Sequence, residues 1–249
     1  MAIDFRNLRK RVAAFMLKAL LWFFGVTFVW VLLTGFIPIW FTPLMGLRMI
    51  EQKSNGKPIF FKKEWVPLDE ISENMVLAVI CSEDQHFEEH NGFDIEAIQK
   101  AIENNKKRKR RGRPVQGAST ISQQVAKNVF LWQGRSWLRK GFEVYFTFMI
   151  ETFWSKRRIM EVYLNVIEMG DGIYGAEAAT KFYYKKHAVD LSRQEAAGIA
   201  AILPNPRKWS PVSPGPYIAK KQQWIVQQMR YWIDGVDLTD DEIQMPKEE

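Results

Sequence analysis

The sequence has very few of the residues that bind metals or form disulfides. It contains one cysteine, Cys81, and three histidines in 249 residues. A single thiol cannot form a disulfide within the chain, and a zinc site built from cysteines needs several thiols. Cys81 lies in an apolar stretch, so we predict that it fills space on a buried helix.

Basic charge is missing from most of the chain, although the formal net charge is +7. Residues 1–18 carry +4, and the run 106–113, with seven basic residues in eight, carries +7. The rest of the chain therefore has a net charge of −4, which argues against a nucleic-acid-binding surface. We predict that the run 106–113 is a solvated loop, either free or in contact with anionic lipid headgroups.

The alternation of apolar and polar residues that is typical of half-buried strands is also missing, as are internal repeats. Helical signals dominate, so the predicted fold class is mainly α. Asp94 is a predicted N-cap, and two capping boxes predict further helix starts, Thr120 with Gln123 and Ser192 with Glu195. The predicted helices cover residues 72–90, 95–104, 120–130, 176–184, 192–203 and 220–231, and one or two long helices are predicted over 137–165.

One long apolar segment follows the basic N-terminus. Residues 19–47 contain no charged side chain, and about 20 apolar residues cross a bilayer as a helix. We therefore predict a transmembrane helix at 19–40, rather than a buried core helix or a signal peptide, whose apolar run is shorter. Five basic residues precede the segment and only Arg48 follows closely, so the positive-inside rule places residues 1–18 in the cytoplasm and the rest across the membrane.

The remaining chain divides into three parts by composition. We predict a membrane-proximal linker at 41–66, interrupted by proline and glycine, one globular domain at 67–235, and an acidic C-terminal tail at 236–249. The roughly 200 residues outside the anchor are enough for one packed domain.

The first of four polar clusters is the acidic run from Glu83 to Gly92. Burying charge is costly, so adjacent carboxylates on a largely apolar helix are unusual for packing alone. A carboxylate among apolar neighbours has a raised pKa and can take a proton from a sugar hydroxyl. One alternative is a solvated acidic helix face. Another is a zinc site, because His86-x-x-Glu89-His90 matches the inverted zinc-protease pattern.

The second cluster, Gly117–Asn128, joins a glycine to hydroxyl caps and a helix start. Free backbone N–H groups at such a start can bind an anion. Gln123 and Gln124 can donate hydrogen bonds to sugar or phosphate oxygens, and Lys127 adds positive charge one turn later. A well-capped surface helix is the alternative interpretation.

The third and fourth clusters contain cations next to acidic residues. Arg139 and Glu143 are four residues apart and so share a helix face. They form either an ordinary ion pair or a diphosphate clamp, in which the acidic group could hold the clamp or a divalent ion. In the fourth cluster, Lys156–Asn165, the apolar positions indicate core, and the candidate polar supports are Lys156, Glu161 and Asn165.

Taken in order, these clusters resemble glycosyltransferase family 51, the peptidoglycan polymerases, and in particular the monofunctional biosynthetic peptidoglycan transglycosylases. The resemblance covers about residues 67–206 and includes Ala178-Ala179 with Phe182-Tyr183-Tyr184 as a fifth block. It implies a lysozyme-like helical domain with two lobes, a head and a membrane-facing jaw, after one transmembrane helix. One departure is Tyr183-Tyr184-Lys185-Lys186, where the family usually has Tyr-Phe-Gly-Lys, and we expect the missing glycine to alter a turn away from the chemistry.

The resemblance also implies an activity and a location. The enzyme would polymerise lipid II into β-1,4 glycan strands at the bacterial inner membrane and release the undecaprenyl diphosphate carrier. The implied partners are lipid II, the growing glycan chain and the membrane; penicillin-binding and division proteins are compatible with it, and nucleic acid is not. No tightly bound cofactor is implied, although Mg²⁺ or Mn²⁺ is compatible with the pattern.

The family pattern carries roles onto matching positions of this sequence. Glu83 is the implied base that takes the proton from the acceptor's 4-hydroxyl group, and Glu143 is the second glutamate of the catalytic site. Arg139 and Lys140 match residues that bind the donor's diphosphate. The other positions that match substrate-binding residues are Asp84, Phe87, His90, Ser119, Thr120, Gln123, Gln124, Lys127, Asn128, Lys156 and Asn165.

Two other functions are compatible with parts of this pattern. A lysozyme-like lytic transglycosylase would need a raised-pKa acid but no diphosphate clamp, and a membrane scaffold of the cell-wall machinery would need neither. A transpeptidase is not expected, because no Lys-Thr-Gly motif follows Ser54-Asn55-Gly56-Lys57, the chance match to Ser-x-x-Lys.

Overall fold

The structure is a computed structural model that describes residues 5–110, 112, 117–134 and 136–232, with side chains from residue 9 onward. The chain forms two units, residues 1–37 and 38–249. The predicted acidic tail at 236–249, together with Arg111 and Arg113 of the basic run, lies outside the described residues.

The first unit is built on one helix, α1 (Phe5–Thr34). Its segment Arg9–Thr34 has a mean hydropathy of 2.0 and is long and apolar enough to cross a bilayer. The hydroxyl groups of Thr27 and Thr34 donate to the carbonyls of Phe23 and Trp30 one turn earlier, so their polar atoms are satisfied inside the helix. The helix begins and ends earlier than the predicted span 19–40.

The second unit is mainly helical, which confirms the predicted fold class. Its nine described helices are α2 (Pro43–Ser54), α3 (Glu73–Glu83), α4 (Ile95–Arg110), α5 (Ile121–Phe130), α6 (Trp137–Phe153), α7 (Lys156–Val166), α8 (Ala176–Tyr184), α9 (Arg193–Ile202) and α10 (Pro216–Gln228). Single 3₁₀ turns lie at Leu68–Glu70, Ala188–Asp190 and Met229–Tyr231.

Two groups of helices position the site. In one group α3 and α10 both pack against α9, and in the other α5 packs against α6 and α7. The residues Met75–Cys81 of α3 and Ala196–Ile202 of α9 are all buried, and the small residues of α9 allow close packing. Cys81 is 1% exposed, which confirms its predicted place on a buried helix.

A small sheet joins the linker to the turn before α8. β1 (Lys62–Lys63) pairs in parallel with β3 (Ile173–Tyr174), and β2 (Glu168–Gly170) pairs antiparallel with β3, so the strand order is β1-β3-β2. We predicted no strands from the sequence, and that prediction was wrong. Strands of two or three residues are too short to show an alternating pattern of apolar and polar residues.

Residues 41–66, predicted to be a linker, contain the helix α2. Pro43 and Gly46 led to that interpretation, but Pro43 occupies the first turn of α2, where its missing N–H has no cost. The Thr42 hydroxyl caps the helix by accepting a hydrogen bond from the Met45 N–H at 3.3 Å.

The first five residues of the basic run are helical, whereas a loop was predicted. Lys106–Arg110 forms the last part of α4 rather than a loop. Lysine and arginine are good helix formers, and cations in the last turn interact favourably with the helix dipole. The predicted N-cap of this helix is confirmed, because Asp94 accepts a hydrogen bond from the Ala97 N–H at 2.7 Å.

Candidate active site

Glu83 is the last residue of α3 and lines a cleft of about 950 Å³, which we call the base cleft. Its carboxylate accepts hydrogen bonds from the Gln124 amide at 3.1 Å and from the Ser82 hydroxyl at 3.2 Å. The ammonium group of Lys221, on α10, lies 3.8 Å from the Glu83 carboxylate. The Glu83 side chain is 15% exposed, so it is mostly desolvated but open to the cleft.

Burial raises the pKa of the Glu83 carboxyl group above its usual value. Lys221, Gln124, Ser82 and Lys127 act in the opposite direction, because each of them stabilises the carboxylate. Burial lowers the pKa of Lys221, and Glu83 opposes that change. A carboxylate with these surroundings is a candidate general base.

The helix does not continue through His90 as the sequence predicted. Asp84 leaves helical geometry, with φ −163° and ψ 82°, and its carboxylate turns inwards. It lies 2.9 Å from Nε2 of His90 and accepts a hydrogen bond from the backbone N–H of Ile121 at 2.9 Å. Asp84 therefore ties the segment after Glu83 to the first turn of α5.

Gly92 closes this segment, which we call the Glu83 loop (residues 84–92). Its φ of +83° is a left-handed conformation, and an added Cβ would lie 2.7 Å from a methyl group of Thr147. Its carbonyl accepts a 2.7 Å hydrogen bond from the Thr120 hydroxyl. The loop is therefore fixed against both α5 and α6.

Lys156 supports the same loop from behind. Its ammonium group donates to the His90 carbonyl at 2.5 Å and to the Glu151 carboxylate at 3.0 Å, and it lies 4.7 Å from the Phe87 ring centroid. Phe87 is fully buried. These residues hold the loop in place, as expected of Lys156 as a polar support. The substrate contacts implied for Phe87 and Lys156 stay predictions.

A second cleft, of about 500 Å³, contains cations and is called the cation cleft. Lys127 of α5 and Arg139 of α6 line it, and Gln124 and Pro204 line both clefts, so the two adjoin. Burial lowers the pKa of Lys127, while Glu143 opposes that effect. The candidate base and the candidate anion site therefore lie on either side of Gln124.

Glu143 is 3% exposed and holds the two cations of its own helix. Its carboxylate accepts from Arg139 at 2.7 Å and from Lys140 at 2.5 Å. Because the Glu143 carboxylate is already paired with a guanidinium group and an ammonium group, it is poorly suited to hold a divalent cation. Its geometry is that of a group that positions the Arg139 and Lys140 side chains.

The zinc-site alternative is wrong for the described part of the chain. His86 pairs with Asp94, while His90 pairs with Asp84, so the two rings have different carboxylate partners. Because α3 ends at Glu83, before His86, the pattern does not lie on a continuous helix. Among the described residues no group of three metal-binding side chains is assembled.

Of the remaining predicted site residues, three line the clefts, and two make hydrogen bonds that stabilise the fold. Ser119 and Thr120 line the base cleft, and Asn128 lines the cation cleft. Gln123 completes the predicted capping box with Thr120. Asn165 is 1% exposed and binds both backbone groups of Val66, so the structure does not bring it to the site.

Several residues that line the clefts were not among the predicted site residues, and three of them are on α10. Tyr217, Lys221 and Trp224 all line the base cleft. Their spacing of four and then three residues places them on one helix face, but only packing places that face at Glu83. Arg48 of α2 also lines the cation cleft, paired with Glu51 at 2.6 Å and Glu168 at 3.3 Å.

Comparison with known proteins identifies the family of this chain. Residues 56–230, more than half of the chain, match the transglycosylase family. The chain belongs to the transglycosylase family. This transglycosylase is 50% identical over 220 residues to a biosynthetic peptidoglycan transglycosylase of Bacteroides thetaiotaomicron, covering 88% of this chain and 87% of the relative.

Two Pseudomonas proteins with the same name are similar over comparable lengths. The protein from Pseudomonas syringae is 50% identical to this transglycosylase over 213 residues, or 86% of this chain and 89% of the relative. The one from Pseudomonas aeruginosa is 48% identical over 220 residues, or 88% and 92%. The matched family confirms the resemblance drawn from the five sequence blocks.

Proposed function

We propose that this transglycosylase polymerises lipid II into β-1,4-linked glycan strands and releases the undecaprenyl diphosphate carrier. The observation that carries the proposal is the shared wall of the two clefts at Gln124, with a desolvated carboxylate on one side and buried cations on the other. An acceptor alcohol and a departing diphosphate need these two environments next to each other.

Glu83 is the general base of the proposed reaction. It takes the proton of the acceptor's 4-hydroxyl group, and that oxygen forms a bond to the anomeric carbon of the donor. The bond between the anomeric carbon and the diphosphate oxygen breaks, and the electron pair leaves with the diphosphate. Attack from the face opposite the leaving group inverts the α-linkage to β, as in inverting glycosidases.

The leaving diphosphate is already stable as an anion, so fixed positive charge replaces a strong general acid. Lys127 and Arg139 bind it in the cation cleft, and Lys140 adds charge from the exposed side. Glu143 is a positioning residue that keeps the Arg139 and Lys140 side chains directed to one point. The charge of an incoming diphosphate also compensates the desolvation of Lys127.

Gln124 is fixed between the two clefts by its own hydrogen bonds. Its amide nitrogen donates to Glu83 at 3.1 Å, and its amide oxygen accepts from the Tyr163 hydroxyl at 3.4 Å. Tyr163 is fully buried, so this contact sets which way the amide faces. Gln124 thereby orients the base toward the acceptor.

The anchor fits the substrate, because both the donor and the growing chain stay attached to lipid. We infer a single-pass topology with residues 1–18 in the cytoplasm and the catalytic domain outside the inner membrane. Penicillin-binding and division proteins are natural partners there. A divalent cation, if the reaction uses one, enters with the diphosphate rather than on Glu143.

Assays of lipid II polymerisation and of cell-wall cleavage distinguish this proposal from its alternatives. A lytic enzyme would cleave purified cell wall, and a scaffold would have no activity on either substrate. We expect labelled lipid II to be converted to glycan strands, purified cell wall to be left intact, and penicillin not to acylate the protein. Release of muropeptides from cell wall without polymerisation of lipid II would overturn the proposal. Parallel assays with EDTA and with Mg²⁺ or Mn²⁺ measure the metal requirement.

A further inference from the structure

One face of α10 presents two aromatic side chains to the base cleft. Tyr217 is 67% exposed and Trp224 is 43% exposed, although both are large apolar residues. The buried residues of the same helix are Ile218, Ile225 and Val226, and neither ring is among them. Both rings therefore leave surface that a ligand can cover.

Lys221 lies between the two aromatic residues on the same helix face. Its ammonium group is 3.8 Å from the Glu83 carboxylate, so the aromatic pair brackets the residue next to the base. The seven-residue separation of Tyr217 and Trp224 corresponds to a rise of about 10 Å along a helix. Two linked sugar rings can span that separation.

Tyr217 is held by a neighbouring ring. Its ring centroid lies 5.8 Å from that of Trp209, at an interplanar angle of 50°. Trp209 is half-buried in the turn region after α9. An exposed aromatic side chain that is supported in this way loses little conformational entropy when a ligand packs on it.

We propose that Tyr217 and Trp224 form a saccharide platform that holds the sugar rings of the acceptor against Glu83, an inference that rests on the function proposed above. A pyranose ring presents C–H groups on its faces and hydroxyl groups around its edge. The C–H face packs on an aromatic ring, which removes apolar surface from water, while the edge hydroxyls reach polar groups such as Lys221. This arrangement selects a sugar chain over a simple alcohol.

The test measures saccharide binding and turnover with the full-length protein in detergent. Chitotetraose, a soluble tetramer of N-acetylglucosamine, is the probe in saturation-transfer NMR, and labelled lipid II is the substrate for kinetics. The variants are the double change Tyr217→Ala with Trp224→Ala, the conservative pair Tyr217→Phe with Trp224→Phe, and the control Tyr231→Ala. Tyr231 is 73% exposed but does not line the cleft, so it controls for loss of an exposed ring.

We expect the double alanine variant to bind chitotetraose about tenfold more weakly and to show a similar rise in KM, with a smaller change in kcat. The phenylalanine pair and Tyr231→Ala should stay close to wild type in both measurements and in thermal midpoint. Unchanged binding and KM in the alanine variant would overturn the platform, and so would phenylalanine variants as weak as the alanine ones. Failure of the wild type to polymerise lipid II would instead reject the proposed function.

Discussion

At the scale of single residues, Glu83 has neighbours with opposite effects on its carboxyl group. Burial raises its pKa, which makes it a stronger base, whereas Lys221 lowers that pKa and keeps the group ionised. A base must be deprotonated to act. Polymerisation should therefore be lost as the pH falls through the raised pKa of Glu83, at a pH above the usual value of 4.5 for a glutamate.

Replacing Lys221 by methionine removes the nearest positive charge from Glu83. The carboxylate loses that stabilisation, so its pKa rises further. We expect the acid limb of the pH–rate profile to move to higher pH. Lys220→Met is the matched control, because Lys220 is exposed on the same helix and does not line the base cleft. An acid limb that stays in place or moves to lower pH would contradict this role of Lys221.

Lys185 has a strained backbone conformation. It is the only described non-glycine residue with positive φ, at φ 61° and ψ 34° after α8, where helices commonly end with glycine. We predict that Lys185→Gly stabilises the protein by about 1 kcal/mol, measured as a higher thermal midpoint. Lys185→Ala is the control, since it removes the side chain but keeps the strained backbone. Equal effects of the two changes would rule out the backbone explanation.

At the scale of elements, the start of α5 connects the helix cap to the Glu83 loop. The Thr120 hydroxyl accepts from the Gln123 N–H at 3.2 Å and donates to the Gly92 carbonyl at 2.7 Å. Thr120→Ala loses both bonds and should cost about 1–2 kcal/mol in free energy of unfolding. Polymerisation should fall with it, because the loop loses an attachment.

Thr120→Ser keeps the hydroxyl group and is the control for this change. Urea unfolding of the three proteins gives the comparison, provided that the slope with denaturant stays constant. A serine variant as unstable as the alanine variant would show that the methyl group, rather than the two hydrogen bonds, matters at this position.

Elements with local signals were predictable from the sequence. Both capping boxes form as expected, and the starts of α5 and α9 follow from them. The end of α3 was not predictable, because it depends on the distant backbone N–H of Ile121, which binds Asp84. The same limit applies to β1, which forms only because Ile173 and Tyr174 come to lie beside it.

The part of the candidate site that depends on residue type, its acidic, basic and amide side chains, was predictable from the sequence. Glu83, Gln124, Lys127 and Arg139 were all named and all line one of the two clefts. Asn165 was also named, but its amide is used by the backbone of Val66, a tertiary contact that the sequence does not encode locally. Lys221 was missed for the converse reason, since only packing brings α10 to Glu83.

At the scale of the whole molecule, the proposed function requires the catalytic domain to lie on the side of the membrane where the cell wall is built. The basic N-terminus predicts that residues 38–249 lie outside the cytoplasm. We expect a cysteine introduced at exposed Glu70, in a Cys81→Ala background, to react with a membrane-impermeant maleimide in spheroplasts. A cysteine at Ala2 should react only after permeabilisation. The reverse pattern would contradict the predicted orientation.

In the proposed mechanism, the function of the whole molecule depends on the ability of Glu83 to accept a proton. Glu83→Gln keeps the size of the side chain and its hydrogen-bonding capacity but removes the base. The most direct measurement is the rate of glycan polymerisation from labelled lipid II by this variant, with its thermal midpoint as the control for folding. We predict a loss of about 10²–10⁴-fold with the fold preserved. Polymerisation within a few-fold of the wild-type rate would contradict the assignment of Glu83 as the base.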